Sequence, residues 1–130
     1  SKAAYTPDVV VIYLGTNDFS TAQQPNEEYF RNNYIRLLKS IKANYGDNIP
    51  VLCMGSNADP YLYDYIRSAV AASGLSNVSF MTIGRGAHNY EDELGASWHP
   101  NYKGHKKVAS CMIPYISTLT GWEMEEKAYK

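Results

Sequence analysis

Apolar and polar positions along the chain change period several times, and each change marks an element. Asp8 to Leu14 reads as a first strand, six of its seven residues forming a continuous apolar run rich in β-branched residues. Its uniformity fits an interior strand of a parallel sheet, buried on both faces, rather than a half-exposed one. Gly15 ends the run in a turn, and Phe19 to Pro25 has the composition of a loop. Phe30, Tyr34, Leu37, Leu38 and Ile41 then recur at helical spacing, with Arg31, Arg36 and Lys39 on the opposite face. Asn26 is a suitable N-cap, Glu27 and Glu28 favour the positive end of the helix dipole, and Gly46 is a plausible stop.

The same alternation of strand and helix repeats. Ile49 to Met54 reads as a second strand, and Gly55 to Ala58 as a loop. Asp59-Pro60 supplies a cap followed by proline at the first helical position. In the helix expected there, Leu62, Ile66, Ala69, Val70 and Ser73 share a face, and Gly74 closes it. Val78 to Ile83 is a third strand, followed by a Gly-rich loop from Gly84 to Ala96. A last helix opens near Asn101, with Val108, Cys111, Met112, Tyr115 and Leu119 near helical spacing and Gly121 at its end. Pro114 leaves the Ser110 carbonyl without its usual partner, which predicts a kink.

Three strand-helix units in a row imply an α/β fold, a three-layer α/β/α sandwich around a parallel sheet. Three strands are few for such a sheet, and the first is apolar enough to need a neighbour on each edge. The expectation is that a strand outside this sequence, a loop or a second copy covers it.

Composition narrows the function classes. A chain of 130 residues, 45% hydrophobic, has enough material for one core. The formal charge of −1 and the absence of any basic run longer than Lys106-Lys107 argue against nucleic acid as a partner. No segment reaches membrane-spanning length, so no membrane partner is expected. Cys53 and Cys111 do not form a disulfide framework and are read as packed thiols. The spacing of His88, His99 and His105 matches no zinc motif, so the reading calls for no metal and no cofactor.

In an open α/β sheet the ligand sits beyond the carboxyl ends of the strands, so the loops after Leu14, Met54 and Ile83 should converge. They carry Asn17, Asp18 and Phe19; then Ser56, Asn57, Asp59 and Tyr61; then His88, Asp92, Glu93, Ser97, Trp98 and His99. Asn17 suits either an oxyanion donor or a turn former, and on the tetrapeptide GTND alone the turn is favoured. His99 suits either a general base or a helix cap. His88 and His105 read as structural. Ser20, Ser56 and Ser97 lack the setting of a nucleophile, and no Gly-Asp-Ser or Gly-x-Ser-x-Gly segment occurs. Trp98 and Tyr61 are the aromatic residues best placed to line the rim of such a site, whereas Phe19 is read as core or rim packing.

GTND after a buried strand, followed by WHPN-x-x-G-H at the start of the last helix, resembles the SGNH hydrolases, also called the GDSL esterase family. GASWHPNYKGH with IPYISTLTGW is similar to the acetyl esterases of carbohydrate esterase family two, which remove O-acetyl groups from plant polysaccharides. The resemblance implies a flavodoxin-like sandwich whose N-terminal strands lie outside this sequence. Residues 1–122 would be the C-terminal part of the catalytic domain, and 123–130 a charged tail. It implies His99 as the base, Asn17 as oxyanion donor, Gly15 in the same block, and a serine brought by an N-terminal Gly-Asp-Ser segment. Acetylated polysaccharide or oligosaccharide would be the partner, and the location secreted or on a bacterial cell surface.

Ser97 stands where full triads carry an Asp. The resemblance therefore implies a Ser-His dyad with the imidazole held by a backbone carbonyl, the alternative being Asp92 or Glu93. Rival expectations are a lipid or thioester hydrolase of the same superfamily, favoured by a long apolar groove, and a glycan-binding module that has lost catalysis.

Overall fold

The computed structural model describes residues 5–56, 59, 61–84, 88 and 91–125. The expectations placed on Asn57, Ala58, Pro60, parts of the Gly84–Ala96 loop and the last five residues lie outside these. Strands β1 (Val10–Ile12), β2 (Val51–Ser56) and β3 (Val78–Ile83) form a parallel sheet in the order β1-β2-β3. Between them run a single-turn helix α1 (Thr16–Phe19) and helices α2 (Glu27–Tyr45) and α3 (Leu62–Ser73), and α4 (Tyr102–Thr120) closes the chain.

Alternation along β2 divides the core into two layers. Val51 and Cys53 point to one face, where Tyr34 and Leu38 of α2 and Leu62, Ile66 and Ala69 of α3 bury against them. Leu52 and Met54 point to the other, against Met81 and Ile83 of β3 and Val108, Met112, Ile116 and Leu119 of α4. The expected three-layer sandwich is therefore formed. β2 is apolar throughout because both its faces are covered.

Local signals set most helix ends where the sequence predicts them. The Asn26 side chain accepts the Tyr29 N–H at 2.8 Å and the Asn101 side chain that of Gly104 at 3.1 Å. Gly74 and Gly121 take left-handed conformations after α3 and α4. Helix α4 runs unbroken through Pro114.

Several expectations need correction. The first strand has three paired residues rather than the seven expected, and it bonds to β2 on one side only. Among the described residues its outer edge is open, and Val11, Tyr13 and Leu14 are exposed. The second strand starts later and runs through Ser56. Helix α3 starts at Leu62, with Tyr61 rather than Asp59 at its N-cap. Leu37, Cys111 and Tyr115 face outward, Leu37 because the buried stripe of α2 runs through Tyr34, Leu38 and Lys42.

Lys42 is only 4% exposed. Its ammonium donates to the carbonyls of Asp47 (2.9 Å), Ile49 (2.6 Å) and Ser76 (2.7 Å), tying the end of α2 to the entries of β2 and β3. Three charge-assisted bonds offset the cost of burying the cation.

Candidate active site

Beyond Ile12 the chain turns at Gly15, whose φ of +111° is open to glycine and strained for other residues. The turn is closed by main-chain bonds: the Asp18 N–H donates to the Gly15 carbonyl at 3.0 Å, and the Ser20 N–H and hydroxyl both donate to the Asn17 carbonyl. Side chains of Asn17 and Asp18 are not needed for it. The Asn17 side chain is therefore not a turn former, and Asn17 lines a cleft.

The opposite wall is the segment before α4. Leu94 and Pro100 form an antiparallel bridge, the Gly95 N–H donates to the His99 carbonyl at 2.7 Å, and the Asn101 N–H donates to the Glu93 carbonyl at 3.0 Å. Asn101 also donates through its amide to the Asp92 carbonyl at 2.7 Å. Gly104 completes the clamp: a Cβ there would run into the Glu93 carbonyl and stand 2.9 Å from Pro100 Cβ. The spacing of Asn101 and Gly104 thus has a physical cause. Asparagine caps the helix three residues ahead, and the glycine lets the loop lie on the first turn.

Within this loop Ser97 and Trp98 both adopt positive φ, 53° and 65°. Neighbouring left-handed residues that are not glycine cost about 1–2 kcal/mol each, and such strain concentrates at functional sites. Trp98, next to His99 in this loop, is 76% exposed.

The two walls enclose a cleft of about 770 Å³ lined by Tyr13, Asn17, Ser56, Trp98, His99 and Val108, with Ser97, His88 and His105 also in its wall. Asn17 and His99, 82 positions apart in sequence, therefore share one cleft at the carboxyl ends of the strands. Partial burial pushes the Tyr13 phenol above its ordinary value. Other expected site residues are elsewhere. Gly15 serves the turn, Tyr61 lies against Tyr65 with ring centroids 6.1 Å apart, and Phe19 is buried edge-on against Phe30 and Tyr65. Phe19 is thus a core residue, the reading its sequence context favoured.

His88 and His105, read from sequence as structural, line this cleft as well. No local signal marks them, since His105 lies inside α4 and His88 in a loop. His88 Nδ1 is buried, has no hydrogen-bond partner among the described residues, and lies 4.0 Å from a Glu93 oxygen. The Glu93 carboxylate is held by Lys107 at 2.9 and 3.0 Å, and that of Asp92 by Lys103 at 3.0 Å. Both acids offered as orienters of His99 are thus committed to lysines. Among the described residues no carboxylate lies within ion-pair distance of His99.

The profile of the GDSL-like Lipase/Acylhydrolase family matches residues 1–107, a span that holds both Asn17 and His99. The chain belongs to this family. It is 32% identical over 127 residues to a cellulase/esterase of Acetivibrio thermocellus, covering 91% of this chain and 15% of that protein. It is 26% identical over 129 residues to an acetylxylan esterase / glucomannan deacetylase of Cellvibrio japonicus, covering 90% of this chain and 34% of that protein. The chain thus spans about a third or less of these relatives' lengths. No solved structure matches it significantly.

Proposed function

We propose that this chain is the base-bearing and oxyanion-bearing part of a serine esterase that removes acetyl groups from carbohydrate. The observation that carries the reading is the shared cleft of Asn17 and His99. A histidine and a carboxamide donor facing one space are two of the three parts that acyl transfer needs. The third, a serine in a Gly-Asp-Ser segment, is supplied from outside these 130 residues and pairs alongside the open edge of β1. Asn17 and His99 are exposed, so a segment seated there would also exclude water from them.

In the proposed reaction His99 takes the serine proton as its oxygen attacks the acetyl carbonyl, and Asn17 donates to the oxyanion. The tetrahedral adduct collapses, the bond to the sugar oxygen breaks, and His99 protonates that oxygen so that the alcohol leaves. Water then attacks the acetyl-serine by the same route and releases acetate. A carbohydrate substrate is favoured over a lipid by the exposed Trp98, on whose ring the C–H faces of a sugar can pack. Names of the two relatives agree with a polysaccharide acetyl ester.

Treatment of the complete protein with a fluorophosphonate, followed by peptide mapping, tests this. The expected product is a single adduct on a serine of a Gly-Asp-Ser segment. An adduct on Ser20, Ser56 or Ser97, or none at all, contradicts it.

A further inference from the structure

A second cleft, of about 570 Å³, lies along the segment joining α1 to α2, with Asn17, Asp18, Gln23, Gln24 and Tyr29 in its wall. Asn17 lines this cleft and the first. The residue assigned to the oxyanion therefore borders both spaces. Both fall in the size range of ligand-binding sites.

The wall of the second cleft is fixed before any ligand arrives. Ser20 Oγ donates to the Asn17 carbonyl at 2.9 Å, Gln24 Nε2 to the carbonyl of buried Phe19 at 2.9 Å, and the Asn26 cap holds Tyr29 on the first turn of α2. These bonds occupy the groups that face the backbone. The Asp18 carboxylate, the Gln23 amide and the Tyr29 hydroxyl have no partner among the described residues. Neither Lys nor Arg is among the described lining residues, so an anionic ligand has no counter-charge. An exposed phenol ring beside one carboxylate and a carboxamide instead suits a neutral polyhydroxylated ligand. Its C–H faces pack on the ring, and its hydroxyl groups both donate and accept.

We infer that the cleft of Asp18, Gln23 and Tyr29 is a glycan subsite. It takes the sugar units next to the acetylated one in the polysaccharide chain, while Trp98 serves the first cleft. This rests on the esterase reading only for where the acetyl group sits; binding of the chain itself does not require catalysis.

Calorimetric titration of the complete protein with xylohexaose and with mannohexaose tests it, the parent being compared with Tyr29→Ala and Gln23→Ala. Tyr29 and Gln23 are exposed, so both variants should fold. The expected result is that the parent binds at least one hexasaccharide and that Tyr29→Ala weakens this about tenfold or more, with a smaller loss for Gln23→Ala. Binding of neither sugar by the parent, or equal binding by parent and Tyr29→Ala, overturns the inference. Acetate release is measured separately. A parent that binds through Tyr29 but releases no acetate retains the subsite and loses the esterase reading. One that releases acetate while binding equally with and without Tyr29 does the reverse.

Discussion

A methyl group added to the α-carbon of Gly15 would stand 2.6 Å from Leu62 Cδ1, closer than atoms of that kind approach. Leu62 is buried at the start of α3, and Gly15 has a φ of +111°. Gly15→Ala therefore combines left-handed strain with an overpacked contact. The expected loss is about 2–4 kcal/mol of folding stability, read by urea denaturation. Unchanged stability would show that the turn after β1 adapts, and would return Gly15 to consideration as a residue needed for chemistry.

Lys42→Met should cost about 3 kcal/mol in the same measurement. The substitution keeps the apolar stem and removes an ammonium that serves three carbonyls, two of them at the entries of β2 and β3. A loss under about 1 kcal/mol would mean that water replaces the ammonium without penalty.

The two thiols should behave oppositely. Cys111 is exposed and should react with a thiol reagent in the folded protein, whereas buried Cys53 should react only on unfolding. Burial pushes the Cys53 thiol up from 9.0 to about 11, a shift that the neighbouring Tyr34 hydroxyl partly offsets. Between those values the folded state keeps a proton that the unfolded state has lost. The contribution of Cys53 is therefore fully present below pH 9 and falls as pH rises towards 11. From pH 8 to pH 10.5 the parent should lose about 2 kcal/mol more stability than Cys53→Val. Parallel losses would contradict this.

Elements specified by neighbouring residues were legible in the sequence. Asn26, Asn101, Gly46, Gly74 and Gly121 act within one turn of the helix end they set, and the third strand occupies Val78–Ile83 as its pattern predicts. Features that depend on distant segments were not. Burial of Lys42 depends on carbonyls at positions 47, 49 and 76, which converge only once two crossovers are complete. The same holds for His88, whose surroundings come from Glu93 and the first turn of α4. Nor did the apolar run ending at Leu14 reveal that only Val10, Val11 and Ile12 pair with β2.

Asp92→Asn separates a dyad from a triad completed by this loop. Asp92 is exposed and paired with Lys103 at 3.0 Å, so its loss should change kcat/KM for an aryl acetate less than about threefold, or about 0.6 kcal/mol. A fall of a hundredfold or more would make Asp92 the orienting acid of His99.

Most direct is acetyl release from acetylated xylan by the complete protein carrying His99→Ala, compared with the parent. His99 lines the cleft with Asn17 and sits on a strained, clamped loop. Its loss should lower kcat at least about a thousandfold, roughly 4 kcal/mol, without loss of folding. Turnover retained within tenfold of the parent would contradict the assignment of His99 as the base.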